Sequence, residues 1–179
     1  MTLYTIGHST RQHAELIAML GRNGVTLLCD IRSHPSSKFC PQWNRDAIIA
    51  GLPADIGYRH MPGLGGKRTA LPISQSVNGQ WRNASFRGYA DYMQTETFQA
   101  ALVELISLAG RQTVAIMCAE AVPWRCHRSL VTDALIARTV QVCDIMSLRT
   151  TRPAVLHAFA QIQDGQVSYP SALSRVDPG

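Results

Sequence analysis

The sequence predicts an α/β domain of three layers: a mostly parallel sheet with helices on both faces, joined to a C-terminal β-hairpin. Two observations carry this prediction. Apolar runs alternate with segments of helical periodicity from the N-terminus to about Met146, which is the pattern of strand–helix–strand units joined by right-handed crossovers. The runs Val25–Ile31 and Thr113–Cys118 are almost continuously apolar, as strands covered on both faces are.

Leu3–Ile6 reads as the first strand, ended by Gly7. Ser9 or Thr10 can cap the following helix, in which Leu16, Ile17 and Leu20 share a face and after which Gly24 is the stop. The strand Val25–Ile31 comes next, with Asp30 and Arg32 at its end. A short helix is expected near Arg45–Ala50 and an extended piece over Gly57–His60. Pro62–Arg68 carries three glycines beside Lys67 and Arg68, and is expected to act as a flap closing over the sheet rim, the competing reading being a plain surface turn. The Ser-, Asn- and Gly-rich stretch Thr69–Arg87 predicts no regular element.

Tyr89–Met93 and Phe98–Ala109 read as helices, the second with Phe98, Leu102, Leu105 and Ile106 on one face and Gly110 past its end. The strand Thr113–Cys118 precedes a helix from about Cys126 to Arg138, and Gln141–Met146 is a further strand. Asp164-Gly165 between two short β-like runs predicts a hairpin within 155–169.

A chain of 179 residues holds one domain with a full core, here 1–179. No run approaches the ~20 apolar residues of a membrane span, and the polar residues Tyr4, His8, Ser9 and Thr10 interrupt any signal-peptide core. Five cysteines, an odd number at irregular spacings, do not form a disulfide framework. Together these predict a cytoplasmic protein with reduced thiols and no membrane partner. The net charge of +5 favours anionic partners, either a phosphate- or carboxylate-bearing small molecule or nucleic acid. The basic residues are scattered, which weakens the nucleic-acid reading.

Ligands in parallel α/β sheets bind outside the carboxyl ends of the strands. That rule gathers His8, Ser9 and Thr10 after the first strand, and Asp30, Arg32, Ser33 and His34 after the second. Cys118, Glu120, Arg125, Cys126, His127 and Arg128 follow a later strand. Cations in the first turn of a helix oppose its dipole, and an anionic ligand resolves that conflict at His127 and Arg128. The candidate nucleophile is Cys118, if cations and a helix N-terminus lower its pKa. Glu120, His8 and Asp30 are candidates for proton exchange. Arg32 and Arg128 are expected to grip the anion, with Ser9, Thr10, Ser33, His60, Arg68, Arg125, Cys126 and His127 as further binding residues.

Four motifs in order, Tyr4–Thr10, Asp30–Arg32 with Pro35–Ser37, Tyr58–His60 with Leu64–Gly66, and Cys118–Glu120 with Cys126–Arg128, resemble domain-of-unknown-function family 488 over residues 1 to about 146. The resemblance implies a cytoplasmic α/β domain with a polar cleft, adds weight to the four motifs as one site, and names no substrate. A weaker likeness is to rhodaneses and cysteine phosphatases, in which a strand delivers a Cys into an anion-holding loop closed by Arg. Cys118 and Arg125 have that outline, but six residues separate them, Pro123 lacks an N–H, and the loop has no Gly.

The first functional expectation is therefore a small enzyme acting on an anionic, nucleotide-like substrate. The alternative is a nucleic-acid-binding or -modifying module that stacks bases on Trp43, Trp81 and Phe86 beside Arg82 and Arg87; the competing reading of these aromatics is that they pin a long loop to the core. Cys118 and Cys126 have seven residues between them, a spacing that matches no common zinc knuckle, so neither metal nor cofactor is expected.

Overall fold

The computed structural model of the protein describes residues 1–171. In chain order the elements are β1 (Thr2–Gly7), α1 (His13–Arg22), β2 (Leu27–Asp30), α2 (Arg45–Gly51), β3 (Gly57–His60), α3 (Ala84–Tyr92) and α4 (Glu96–Ala109). There follow β4 (Val114–Cys118), α5 (Arg128–Ala137), β5 (Gln141–Ser147), β6 (Thr150–Pro153), β7 (Gln161–Gln163) and β8 (Gln166–Ser168). The first six strands form one sheet in the order β3-β2-β4-β1-β5-β6. All neighbours are parallel except β5 and β6.

Successive side chains of a strand point to opposite faces, and the core divides accordingly. Leu27 and Cys29 of β2 and Val114 and Ile116 of β4 pack with Tyr89 of α3, Phe98, Leu102 and Leu105 of α4 and Leu130 and Leu135 of α5. Leu28, Ala115 and Met117 pack instead with Leu16, Met19 and Leu20 of α1 and Ile48 of α2. The expected three-layer α/β architecture is present, and the C-terminal hairpin with it. Asp164 and Gly165, at φ 50° and 74°, make a turn in the left-handed backbone region whose twist matches the right-handed twist of the flanking strands, and β7 pairs with β8 around it.

Some boundaries differ from the sequence expectation. Neither Ser9 nor Thr10 caps α1: Ser9 is itself left-handed at φ 49°, the chain turns through an Arg11 N–H bond to the His8 carbonyl, and the helix starts after Gln12. The stretch expected to lack structure contains the first turn of α3, where the Asn83 side chain accepts from the backbone N–H groups of Ser85 and Phe86. β6 was not anticipated, because its Thr-Thr-Arg-Pro sequence is exposed throughout on a sheet edge and shows no alternation. α5 begins at Arg128, two residues into the expected segment, with His127 immediately before it. Among the described residues no helix is long and apolar enough to cross a membrane.

The topology fixes where a crevice opens. β1 leaves the sheet through α1 on one face, β4 leaves through α5 on the other, and the two strands are neighbours. Such a reversal leaves a gap at the carboxyl ends of the strands. Beyond the strand ends the two chains stay paired, with the His8 and Ser9 N–H groups donating to the Cys118 and Ala119 carbonyls at 3.0 and 2.8 Å. This pairing needs Gly7, because a Cβ there would stand 1.8 Å from the Glu120 carbonyl oxygen. Gly7→Ala is therefore expected to destabilise the fold by about 1–3 kcal/mol or more, read as a lower urea midpoint; an unchanged midpoint contradicts the close approach.

Candidate functional site

Cys118 is the last residue of β4, and its side chain lies on the α5 side of the sheet. A short loop with a 3₁₀ turn at Pro123–Arg125 returns the chain so that Cys126 and His127 come back over the strand end. His127 Nδ1 lies 3.8 Å from the Cys118 sulfur and 3.7 Å from the Cys126 sulfur. Its Nε2 lies 3.1 Å from the Ile31 carbonyl oxygen. A carbonyl can only accept, so Nε2 carries a proton and Nδ1 is the ring nitrogen that faces the two sulfurs. The ring also rests against Tyr89, with centroids 4.8 Å apart.

The two thiols are not equivalent. The neighbouring Cys126 thiol, together with His127 and the Arg128 charge, outweighs the cost of burial and holds Cys118 well below the usual thiol range. Cys126 is pushed well above it by the adjacent Cys118 sulfur, by burial and by the charge on Cys118. Arg128 favours the anion at either sulfur. Its guanidinium is buried and donates to the carbonyl oxygens of Ile6 and Ala121, its Nε has no partner, and among the described residues no carboxylate pairs with it. A buried cation without a carboxylate favours a negative charge on the nearby sulfur.

A second cluster supports the other wall. Arg32 donates to both Asp30 oxygens at 2.9 and 2.6 Å, to the Trp43 carbonyl oxygen at 2.8 Å and to His8 Nε2 at 3.1 Å. Tyr58 donates its hydroxyl to Asp30 at 3.0 Å. The His8 Nδ1–H donates to the Ser9 carbonyl oxygen at 2.9 Å, and its ring stacks on Trp43. Burial, reinforced by the Arg32 charge, lowers the His8 pKa despite that hydrogen bond. His8 is thus held neutral with both nitrogens occupied.

Between these clusters lies a cleft of about 600 Å³. The expected residues His8, Arg32, Ser33, Cys118, Glu120, Arg125, Cys126 and His127 line it. Ser9, Thr10, Asp30, His60, Arg68 and Arg128 do not. Asp30 is buried behind Arg32, so it orients a wall residue and exchanges no proton with a ligand. Arg128 lies beneath the cleft rather than in it, because its guanidinium is held by main-chain oxygens. His60 is turned to the Arg32 carbonyl oxygen at 2.8 Å. The Arg68 guanidinium is taken up by the Gly65 and Pro62 carbonyl oxygens and lies over the Tyr92 ring.

Those contacts also overturn the flap expectation. The 62–68 segment is tied to its surroundings by Ser33, Tyr89 and Tyr92, which donate to the Gly66, Leu64 and Gly63 carbonyl oxygens at 2.6, 2.7 and 2.8 Å. It forms a fixed wall. Its Lys67, together with Arg125, carries an exposed cation at the cleft with no hydrogen bond or ion pair among the described residues. Sequence reasoning noted Lys67 only as part of a basic loop and Ser36 and Ser37 only within a family motif, and missed Ser85 and Tyr89, which also line the space. The aromatics read as base platforms are otherwise engaged. Trp43 is buried, and Trp81 packs against Phe86, His157, Phe159 and Tyr169, so both pin the loops around them.

The fold and site together define a parallel α/β protein with a thiol-floored cleft at a topological switch point. Residues 12–135 match the family model described as "Domain of unknown function DUF488", and the chain belongs to that family. The match spans the Asp30, Leu64–Gly66 and Cys118–Arg128 motifs and begins after Tyr4–Thr10. No curated protein and no solved structure matches the chain.

The Asp30–Arg32 pair gives a direct test of the supporting wall. Asp30→Asn leaves a buried guanidinium without its counter-charge and is expected to cost about 3–5 kcal/mol, read by urea unfolding. A loss below about 1 kcal/mol, the size of an exposed pair, would mean that the two side chains are solvated.

Proposed function

We propose that the protein is a small thiol-dependent enzyme whose substrate is an anionic small molecule, phosphate- or carboxylate-bearing, bound in the cleft. One observation carries this reading: a sulfur at the cleft floor lies beside a second thiol, an imidazole nitrogen and a buried guanidinium that has no carboxylate partner among the described residues. Cys118 is the nucleophile. His127 Nδ1 takes up or returns the proton shared with the sulfurs, and Ile31 holds its ring in the required tautomer. Glu120, exposed at the cleft, is placed to exchange a proton with a leaving group. Lys67 and Arg125 attract the anion, and Phe86 offers a partly exposed ring beside them.

Arg32 and His8 act as positioning residues, since their polar atoms are committed to Asp30, Trp43, Ser9 and each other. The five cysteines are free, which is the state a reducing compartment maintains and supports a cytoplasmic location. The engagement of Trp43 and Trp81 favours a small substrate over a polynucleotide.

Alkylation mapped cysteine by cysteine tests the reading. Cys118 is expected to react first at neutral pH, while Cys29, whose thiol burial pushes up to about 12, stays silent. Relative to a free thiol, anionic iodoacetate should gain on neutral iodoacetamide, and Arg125→Ala with Lys67→Ala should remove that gain. Equal labelling of Cys118 and the half-buried Cys40 and Cys143, or a charge-blind Cys118, would overturn the proposal.

A further inference from the structure

The same three atoms support a second kind of chemistry. The Cys118 sulfur, the Cys126 sulfur and His127 Nδ1 all lie within 4.8 Å of one another, although seven residues separate the cysteines in sequence. Zinc binds thiolate at about 2.3 Å and imidazole nitrogen at about 2.0 Å, so neighbouring sulfur and nitrogen ligands on a tetrahedron stand about 3.6 Å apart. The observed sulfur–nitrogen separations are 3.8 and 3.7 Å. The two sulfurs, within 4.8 Å of each other, would close toward the roughly 3.8 Å that two zinc-bound thiolates require.

The surroundings of the imidazole agree. A metal-bound histidine presents one nitrogen to the ion and gives its other N–H to an oxygen acceptor, which fixes the ring. His127 Nε2 already has that partner in the Ile31 carbonyl oxygen at 3.1 Å. The two sulfurs are buried, and all three residues line the cleft, so a fourth coordination position would face its open space. Three protein ligands with an open position are the donor count of zinc sites that admit water or a small ligand.

We infer that Cys118, Cys126 and His127 form a binding site for one Zn²⁺ ion whose fourth position opens into the cleft. The metal takes the place of the protons shared among the two sulfurs and the ring, and these are released to solvent. The Cys118 lone pair that would attack a substrate is then engaged by the ion. Zinc occupancy and nucleophilic attack are therefore alternative states of one cluster. Binding stands independently of the thiol enzyme proposed above; only its inhibitory effect rests on that reading.

The test uses the full chain without a histidine tag, stripped of metal, with Co²⁺ and then Zn²⁺ as probes. One equivalent of Co²⁺ should give thiolate-to-metal charge-transfer absorption with the visible bands of a tetrahedral site, and Zn²⁺ should bleach them. Cys118→Ser, Cys126→Ser and His127→Ala should each weaken binding by about tenfold or more, since even outer partners of a ligand are worth that much. Cys40→Ser and Cys143→Ser should not. If a ligand variant unfolds, the wild-type spectrum and cysteine-mapped alkylation decide, because Zn²⁺ should protect Cys118 and Cys126 alone.

Absent charge-transfer bands, octahedral Co²⁺, or equal binding by Cys126→Ser overturns the inference. Fast Cys118 alkylation that Zn²⁺ leaves unchanged removes the metal site and leaves the thiol enzyme standing. Tetrahedral Co²⁺ on a protein whose metal-free Cys118 is sluggish does the reverse.

Discussion

Arg128 is the residue on which this site turns. Its guanidinium is buried, reaches the Ile6 carbonyl oxygen of β1 and the Ala121 carbonyl oxygen of the loop after β4, and has no carboxylate partner among the described residues. An uncompensated charge in a protein interior is costly. The main-chain dipoles lower that cost, and a negative sulfur lowers it further. One side chain thus ties together the end of β1, the turn beyond β4 and the start of α5, while biasing Cys118 toward its thiolate.

The fold supplies what Arg128 alone cannot. Because β1 and β4 exit to opposite faces, the strand ends diverge into helices and leave their last residues facing open space. Gly7 lets the two chains run together past the sheet, so His8 and Cys118 enter the cleft from adjacent strands. The Asp30–Arg32–His8–Trp43 network stiffens one side, and the Ser33, Tyr89 and Tyr92 contacts fix the 62–68 segment on another. A cleft held so firmly aligns its groups before a ligand arrives, and preorganisation of that kind is a large part of what a binding or catalytic site requires.

Much of this was legible in the sequence. The apolar runs at β2 and β4 announced buried parallel strands, and the switch-point rule then brought His8, Arg32, Cys118 and His127 to one rim without any structure. Residue chemistry alone could not say which polar groups face a ligand and which serve the frame. Arg128 and Arg68 look like ligand-binding residues and Asp30 like a proton-exchange residue in the sequence, yet the two guanidiniums are taken up by main-chain oxygens and the carboxylate by the Arg32 and Tyr58 side chains. Linear spacing also could not show how near Cys118 and Cys126 come, because a loop with a 3₁₀ turn closes a gap of seven residues that no short-range motif describes. The start of α3 was hidden by its own cap, since Asn83 and Ser85 read as loop residues until their side-chain and main-chain bonds are seen.

The central claim is that Cys118 carries negative charge when the protein is at rest. Thiolates absorb in the ultraviolet where thiols do not, so a difference spectrum between metal-free wild type and Cys118→Ser at neutral pH measures that charge directly. The account predicts a thiolate band in the wild type that the substitution removes. Superimposable spectra from two folded proteins would show a protonated sulfur and contradict it.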